Sequence, residues 1–143
     1  MSDSRQTRVH DCDILELDRH HSLRKGNLSV VENGGSLPFD VRRVFYLYDV
    51  PAGSARGGHA HRSTHQVIVA VAGSFSLLLD DGIVKRTIVL NRPYMAIHVR
   101  PGIWNELYDF SSGAVVLVLA SDRYDESEYI RKYKDFMSFK KAK

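Results

Sequence analysis

The run Gln66-Val67-Ile68-Val69-Ala70-Val71-Ala72 stops at Gly73, and Ser74-Phe75-Ser76-Leu77-Leu78-Leu79 follows before Asp80-Asp81-Gly82. Each run is too short for a helix and is rich in β-branched or large apolar side chains, so each reads as a strand. Asp-Gly between such runs is a strong hairpin signal, because glycine supplies the positive φ that a tight turn requires. A further strand over 83–90 ends at Asn91-Arg92-Pro93. Working outward, 94–99 ends at Pro101-Gly102, and 115–121 is a nearly continuous apolar strand. Upstream, 41–50 is β-branched and aromatic and ends at Pro51. Strands are also expected over 28–31, after a turn at Arg24-Lys25-Gly26-Asn27, and at Ile14-Leu15-Glu16-Leu17. About eight or nine strands at roughly 8–12 residue spacing predict an all-β sandwich or barrel.

Only the end of the chain changes period. Ser121 or Asp122 can cap a helix with Asp125 and Glu126 in its first turn. Tyr129, Ile130, Tyr133, Phe136 and Met137 then recur at helical steps, so a C-terminal helix is expected over about 122–138, its apolar face on the barrel. Residues 1–10 are polar and read as a floppy arm. With 143 residues the chain fits one domain, 1–143.

Bulk properties narrow the function. The net charge is +3, and Lys132, Lys134, Lys140, Lys141 and Lys143 crowd the C-terminus. Such a run reads as a solvated tail, and no basic stripe with base-reading groups points to nucleic acid. Cys12 is the sole cysteine, so neither an internal disulfide nor a zinc knuckle is available. No apolar leader precedes residue 10, and the longest apolar run, 114–120, is too short to span a bilayer. The expectation is a cytoplasmic protein with no membrane partner.

The densest chemistry lies in Arg56-Gly57-Gly58-His59-Ala60-His61. In extended chain the period of two aims His59 and His61 at one face. Two imidazoles on the inner wall of a small barrel are costly unless solvated, paired or used. Three uses remain open. The stretch resembles the first cupin signature, with Gly53, His59, His61 and Gly73 at its spacings, which raises a metal site. Gln66 stands where that signature has glutamate, and a neutral amide is a poor ligand for a divalent cation. Counting from Pro101, Glu106 stands where the second signature has histidine, so only His59, His61 and Glu106 could form a three-ligand set. The second use is acid–base catalysis by the histidines, with Arg56 offering a planar cationic fork to a phosphate or enolate oxygen. The third is ligand binding without chemistry.

Beyond this cluster lie Arg42-Arg43-Val44-Phe45-Tyr46-Leu47-Tyr48, Val71-Ala72-Gly73-Ser74, Pro101 with Trp104 and Glu106, Asp109-Phe110-Ser111-Ser112, and 119–126. Together these stretches resemble the dTDP-sugar 3,4-ketoisomerases, the WxcM-like, FdtA/QdtA-type cupins, from about residue 24 to 136. The resemblance implies an RmlC-like cupin jelly roll and isomerisation of dTDP-4-keto-6-deoxyglucose to a 3-keto sugar. An aminotransferase then converts that product to a 3-amino sugar for surface glycans. It also implies a homodimer exchanging N-terminal strands, with no bound metal and no cofactor. His59 and His61 inherit the proton shuttle. Arg56, with Arg43 and Tyr46 or Tyr48, would hold the sugar or its phosphates, with Glu106 nearby; Trp104 could equally stack on the base or pack in the core or rim. Family members often carry histidine or arginine where Asn105 stands, and a larger or basic residue where Asn27 follows Gly26. These positions help choose the face protonated at carbon 4. Tyrosine is frequent at the position of Phe45. His65 is expected at a surface or rim, and His98 facing solvent or a partner. The rival readings are a 4-keto-6-deoxysugar epimerase and a sugar-nucleotide sensor.

Overall fold

The computed structural model describes residues 3–142. In chain order its strands are β1 (Ile14–Glu16), β2 (Asp18–Ser22), β3 (Gly26–Val30), β4 (Arg43–Leu47), β5 (Arg56–His61), β6 (Gln66–Ala72), β7 (Phe75–Asp80), β8 (Lys85–Leu90), β9 (Met95–Val99), β10 (Trp104–Tyr108), β11 (Val115–Ala120) and β12 (Tyr129–Ile130), followed by α1 (Tyr133–Lys141). Two five-stranded sheets form, ordered β1-β9-β6-β11-β4 and β12-β5-β10-β7-β8, while β2 and β3 pair only with each other. Ile68, Ala70, Ile97, Val116 and Val118 of the first sheet meet Phe75, Leu77, Leu79 and Leu107 of the second in one core. The fold is therefore the cupin-like jelly roll.

The hairpin expected at Asp80-Asp81-Gly82 forms between β7 and β8, where the Asp81 carboxylate accepts from the backbone of Ile83 and Val84, both at 2.8 Å. Three expectations change. The C-terminal helix starts at Tyr133 rather than near 122. Tyr129 and Ile130 instead pair as strand with His61 and Ala60, and Asp125 caps only a three-residue 3-10 turn. The edge of β5 needs a covering strand, and that need overrides the helical spacing. The helix that remains buries Phe136 against Ala60, Trp104 and Ile130.

Second, the described part of the arm is docked. The Lys140 ammonium donates to the carbonyls of Thr7 and Gly102, each at 2.8 Å, and Val9 is buried with its N–H on the Asp81 carboxylate. The arm crosses Gly102 (φ 81°) so closely that any β-carbon there would collide with the Ser4 carbonyl.

Third, His98 is buried, not solvent-facing. Its strand is flanked by β1 and β6, and Phe39 covers both its ring and that of half-buried His65, whose Nδ1 lies 2.9 Å from His98 Nε2. The strand β2, Asp-Arg-His-His-Ser, carried no hydrophobic signal and was absent from the expected set.

Candidate functional site

β5 begins irregularly. Gly57 and Gly58 take φ of 92° and 66°, and a Cβ on Gly57 would press within 3.1 Å of the Asn105 carbonyl. Where β5 turns regular, alternation sends Ala60 outward beneath α1 and His59 and His61 inward. The two rings meet edge to face with centroids 5.0 Å apart. Tyr129, opposite His61 on β12, closes the group at 4.4 Å from His61 and 5.1 Å from His59.

The His59 and Tyr129 rings border a cavity of about 390 Å³ between the sheets. His59 stands on its wall; His61 lies behind, between His59 and Tyr129. Gln66 and Ile68 of β6, Phe45 and Leu47 of β4, and Asn105 of β10 face the same space. At the mouth Arg56 and Arg131 supply cations. Arg131 stacks on Tyr129, 4.3 Å from the ring centre, and is held by Glu126 through bonds of 2.6 and 2.9 Å.

Polar satisfaction marks the corner as unusual. His59 Nε2, both nitrogens of His61 and Arg43 Nε are buried and find no hydrogen-bond partner among the described residues. Buried groups of this kind normally are paired, because each unpaired one costs about 1–3 kcal/mol. Arg43 does donate through Nη2 to the Tyr129 hydroxyl at 3.2 Å. Burial pushes His59 down to about 4, with Arg131 and Arg43 nearby adding to it. Burial likewise pushes His61 to about 3, helped by His59 and the same arginines. Both imidazoles are therefore neutral at neutral pH and able to accept a proton.

The expected site residues divide. His59, Arg56 and Asn105 border the cavity, with His61 and Arg43 directly behind. Tyr46 and Tyr48 do not: alternation on β4 turns Phe45 and Leu47 inward and leaves both tyrosines on the outer surface of this chain. Trp104 and Glu106 are also excluded. On β10 they share the face opposite Asn105 and Leu107, where the indole Nε1 donates to Glu106 at 3.2 Å and packs on Tyr133 and Phe136. The ligand set His59, His61 and Glu106 is consequently not assembled, and among the described residues no three metal-binding side chains converge elsewhere. Asn27 lies on the projecting β2–β3 hairpin, bonded to His21. Tyr129 and Arg131 were missed as site residues because helical spacing absorbed the first and nothing in the local pattern singled out the second. A short β-prone Tyr-Ile pair ahead of the lysines was the available signal.

The chain has known relatives in sequence and in fold. Residues 10–141 match the family model FdtA, described as WxcM-like, C-terminal. A curated relative, TDP-4-oxo-6-deoxy-alpha-D-glucose-3,4-oxoisomerase of Aneurinibacillus thermoaerophilus, is 42% identical over 115 residues, 80% of this chain and 83% of the relative. A 3,4-ketoisomerase from Helicobacter canadensis superposes with a TM-score of 0.89 at 39% identity, covering 92% of this chain and 98% of that one. A mutant of the 3,4-ketoisomerase QdtA from Thermoanaerobacterium thermosaccharolyticum, solved with TDP-4-keto-6-deoxyglucose, superposes at 0.88 with 32% identity, covering 92% and 94%.

Proposed function

The chain belongs to the FdtA, WxcM-like family and is a sugar-nucleotide 3,4-ketoisomerase; we propose that it converts TDP-4-keto-6-deoxyglucose to the 3-keto isomer using His59 and His61 as the proton-moving pair. The observation that carries the residue assignment is the pair of inward imidazoles, edge to face at 5.0 Å, with unpaired nitrogens beside a cavity of about 390 Å³. That volume falls in the usual range of small-molecule sites.

The chemistry balances without an external oxidant. His59, on the wall, takes the proton from carbon 3. The C–H electron pair becomes the C3–C4 double bond while the carbon-4 ketone oxygen gains a proton, giving an enediol. Loss of the proton from the carbon-3 hydroxyl then forms the new ketone, and carbon 4 receives a proton from the histidine pair. Arriving diphosphate and developing enediolate charge favour the imidazolium, raising the basicity that burial suppresses. Arg43 with Tyr129, and Arg56 with Arg131, supply donors for oxygen and phosphate charge. The product ketone at carbon 3 is a substrate for an aminotransferase, which fits the biosynthesis of a 3-amino-3,6-dideoxysugar.

The proposal includes a homodimer in which the β2–β3 hairpin reaches the neighbouring copy. Among the described residues the hairpin pairs with no other strand, and it exposes Leu23 and Leu28. An isolated hairpin is marginal in water, and a neighbour's surface would support it and carry Asn27 toward the second site. A cytoplasmic setting is also proposed, consistent with the buried free thiol of Cys12; no described helix is long and apolar enough to cross a membrane.

Incubation with TDP-4-keto-6-deoxyglucose in heavy water, followed by proton NMR, tests the reaction. Carbon-13 NMR of the same sample is expected to show the ketone move from carbon 4 to carbon 3. Exchange with inversion and a stationary carbonyl would make the protein an epimerase, and binding without exchange would make it a sensor. A parallel incubation in ordinary water gives the carbon-4 configuration of the product from its H4–H5 coupling.

A further inference from the structure

Gln66 is 2% exposed and sits at the start of β6, on the inward face with Ile68 and Ala70. Its side chain borders the catalytic cavity, so its carboxamide is a polar group on an otherwise largely apolar stretch of β6 that faces the space the sugar would occupy. Asn105, the other buried amide of the cavity, is tied: its Nδ2 donates to the His59 carbonyl at 3.3 Å. An amide on a cavity wall offers a donor and an acceptor that a ligand in the cavity can engage.

We propose that Gln66 reads the hydroxyketone itself, its N–H donating to the ketone oxygen and its carbonyl accepting from the adjacent hydroxyl. This rests on the ketoisomerase reading and deepens it. An α-hydroxyketone presents one acceptor and one donor on neighbouring carbons, and a carboxamide presents the complementary donor and acceptor on one planar head. Isomerisation exchanges the two groups of the sugar. A half-turn of the amide about its last carbon–carbon bond restores the match. A carboxylate here would offer acceptors only and would repel the enediolate.

The test uses Gln66→Met, which keeps length and removes both functions, and Gln66→Glu, which keeps shape and removes the donor. Calorimetry compares TDP, TDP-4-keto-6-deoxyglucose and its 3-deoxy counterpart. Wild-type protein is expected to bind the hydroxyketone about tenfold more tightly than the 3-deoxy ketone, and Gln66→Met to bring that ratio to about one. TDP affinity stays within about twofold in both variants, since the nucleotide alone offers nothing to Gln66. A ratio unchanged in Gln66→Met, a wild type that does not discriminate, or TDP affinity falling in step would overturn the proposal. If Gln66→Met does not fold, Gln66→Glu decides: it should weaken the hydroxyketone about tenfold or more while sparing TDP, and equal losses would refute the role. Both isomers are hydroxyketones, so the ratio is readable whether or not the sugar turns over. A carbonyl that never migrates would sink the reaction assignment while leaving Gln66 to be judged on its own.

Discussion

His59 and His61 are held neutral by burial beside Arg131 and Arg43, and that state has two consequences. His59→Asn or His61→Asn should lower turnover by at least about 10² while the circular dichroism spectrum stays native; near-wild-type rates in both would remove their assigned roles. The acid limb of kcat/KM should lie near pH 4, well below the ordinary imidazole value of 6.5, because that limb reports the free enzyme. Stability carries the same signature. Between about pH 6.5 and 4 the unfolded imidazoles bind protons and the folded ones do not, so stability falls as pH drops through that window. The slope of melting temperature against pH should flatten there in His59→Asn. An unchanged slope would mean that other groups dominate acid unfolding. At this scale the sequence was most legible where alternation could be applied to a regular strand, as at His59 and His61. It misled at Tyr46 and Tyr48 because two residues apart fixes a shared face but not which face is inside.

Strand phase is what sorted the remaining candidates. On β10 a single step separates Asn105, in the cavity, from Trp104 and Glu106, under α1. The register of β10 shifts against β5 between Asn105 and Glu106, opposite the positive-φ glycines, and no sequence count from Pro101 could reveal that irregularity. The C-terminal segment is decided similarly, since Tyr129 serves β5 as a strand neighbour before α1 can begin. The β2–β3 hairpin gives the element-scale prediction. Leu28, 59% exposed on β3, should lie against a second copy, so Leu28→Glu is expected to shift the protein to monomer in light scattering. A wild-type monomer would discard the exchanged-hairpin arrangement.

For the whole molecule, α1 and the docked arm brace the sheet that carries the histidines. Phe136 is fully buried against Trp104 and Ile130, so Phe136→Ala should cost about 3–5 kcal/mol in chemical denaturation. A loss under about 1 kcal/mol would show that the helix packs loosely. The amino-acid sequence alone determined the all-β class, the β7–β8 hairpin and the two-histidine cluster, because turn chemistry and period-two alternation are local properties of the chain. Only the tertiary structure decided that the terminal arm docks, that Tyr129 and Arg131 join the cavity, and that Gln66 is buried on the cavity wall. Those facts depend on which edge needs covering and which face is enclosed, and neither is set until distant strands have paired.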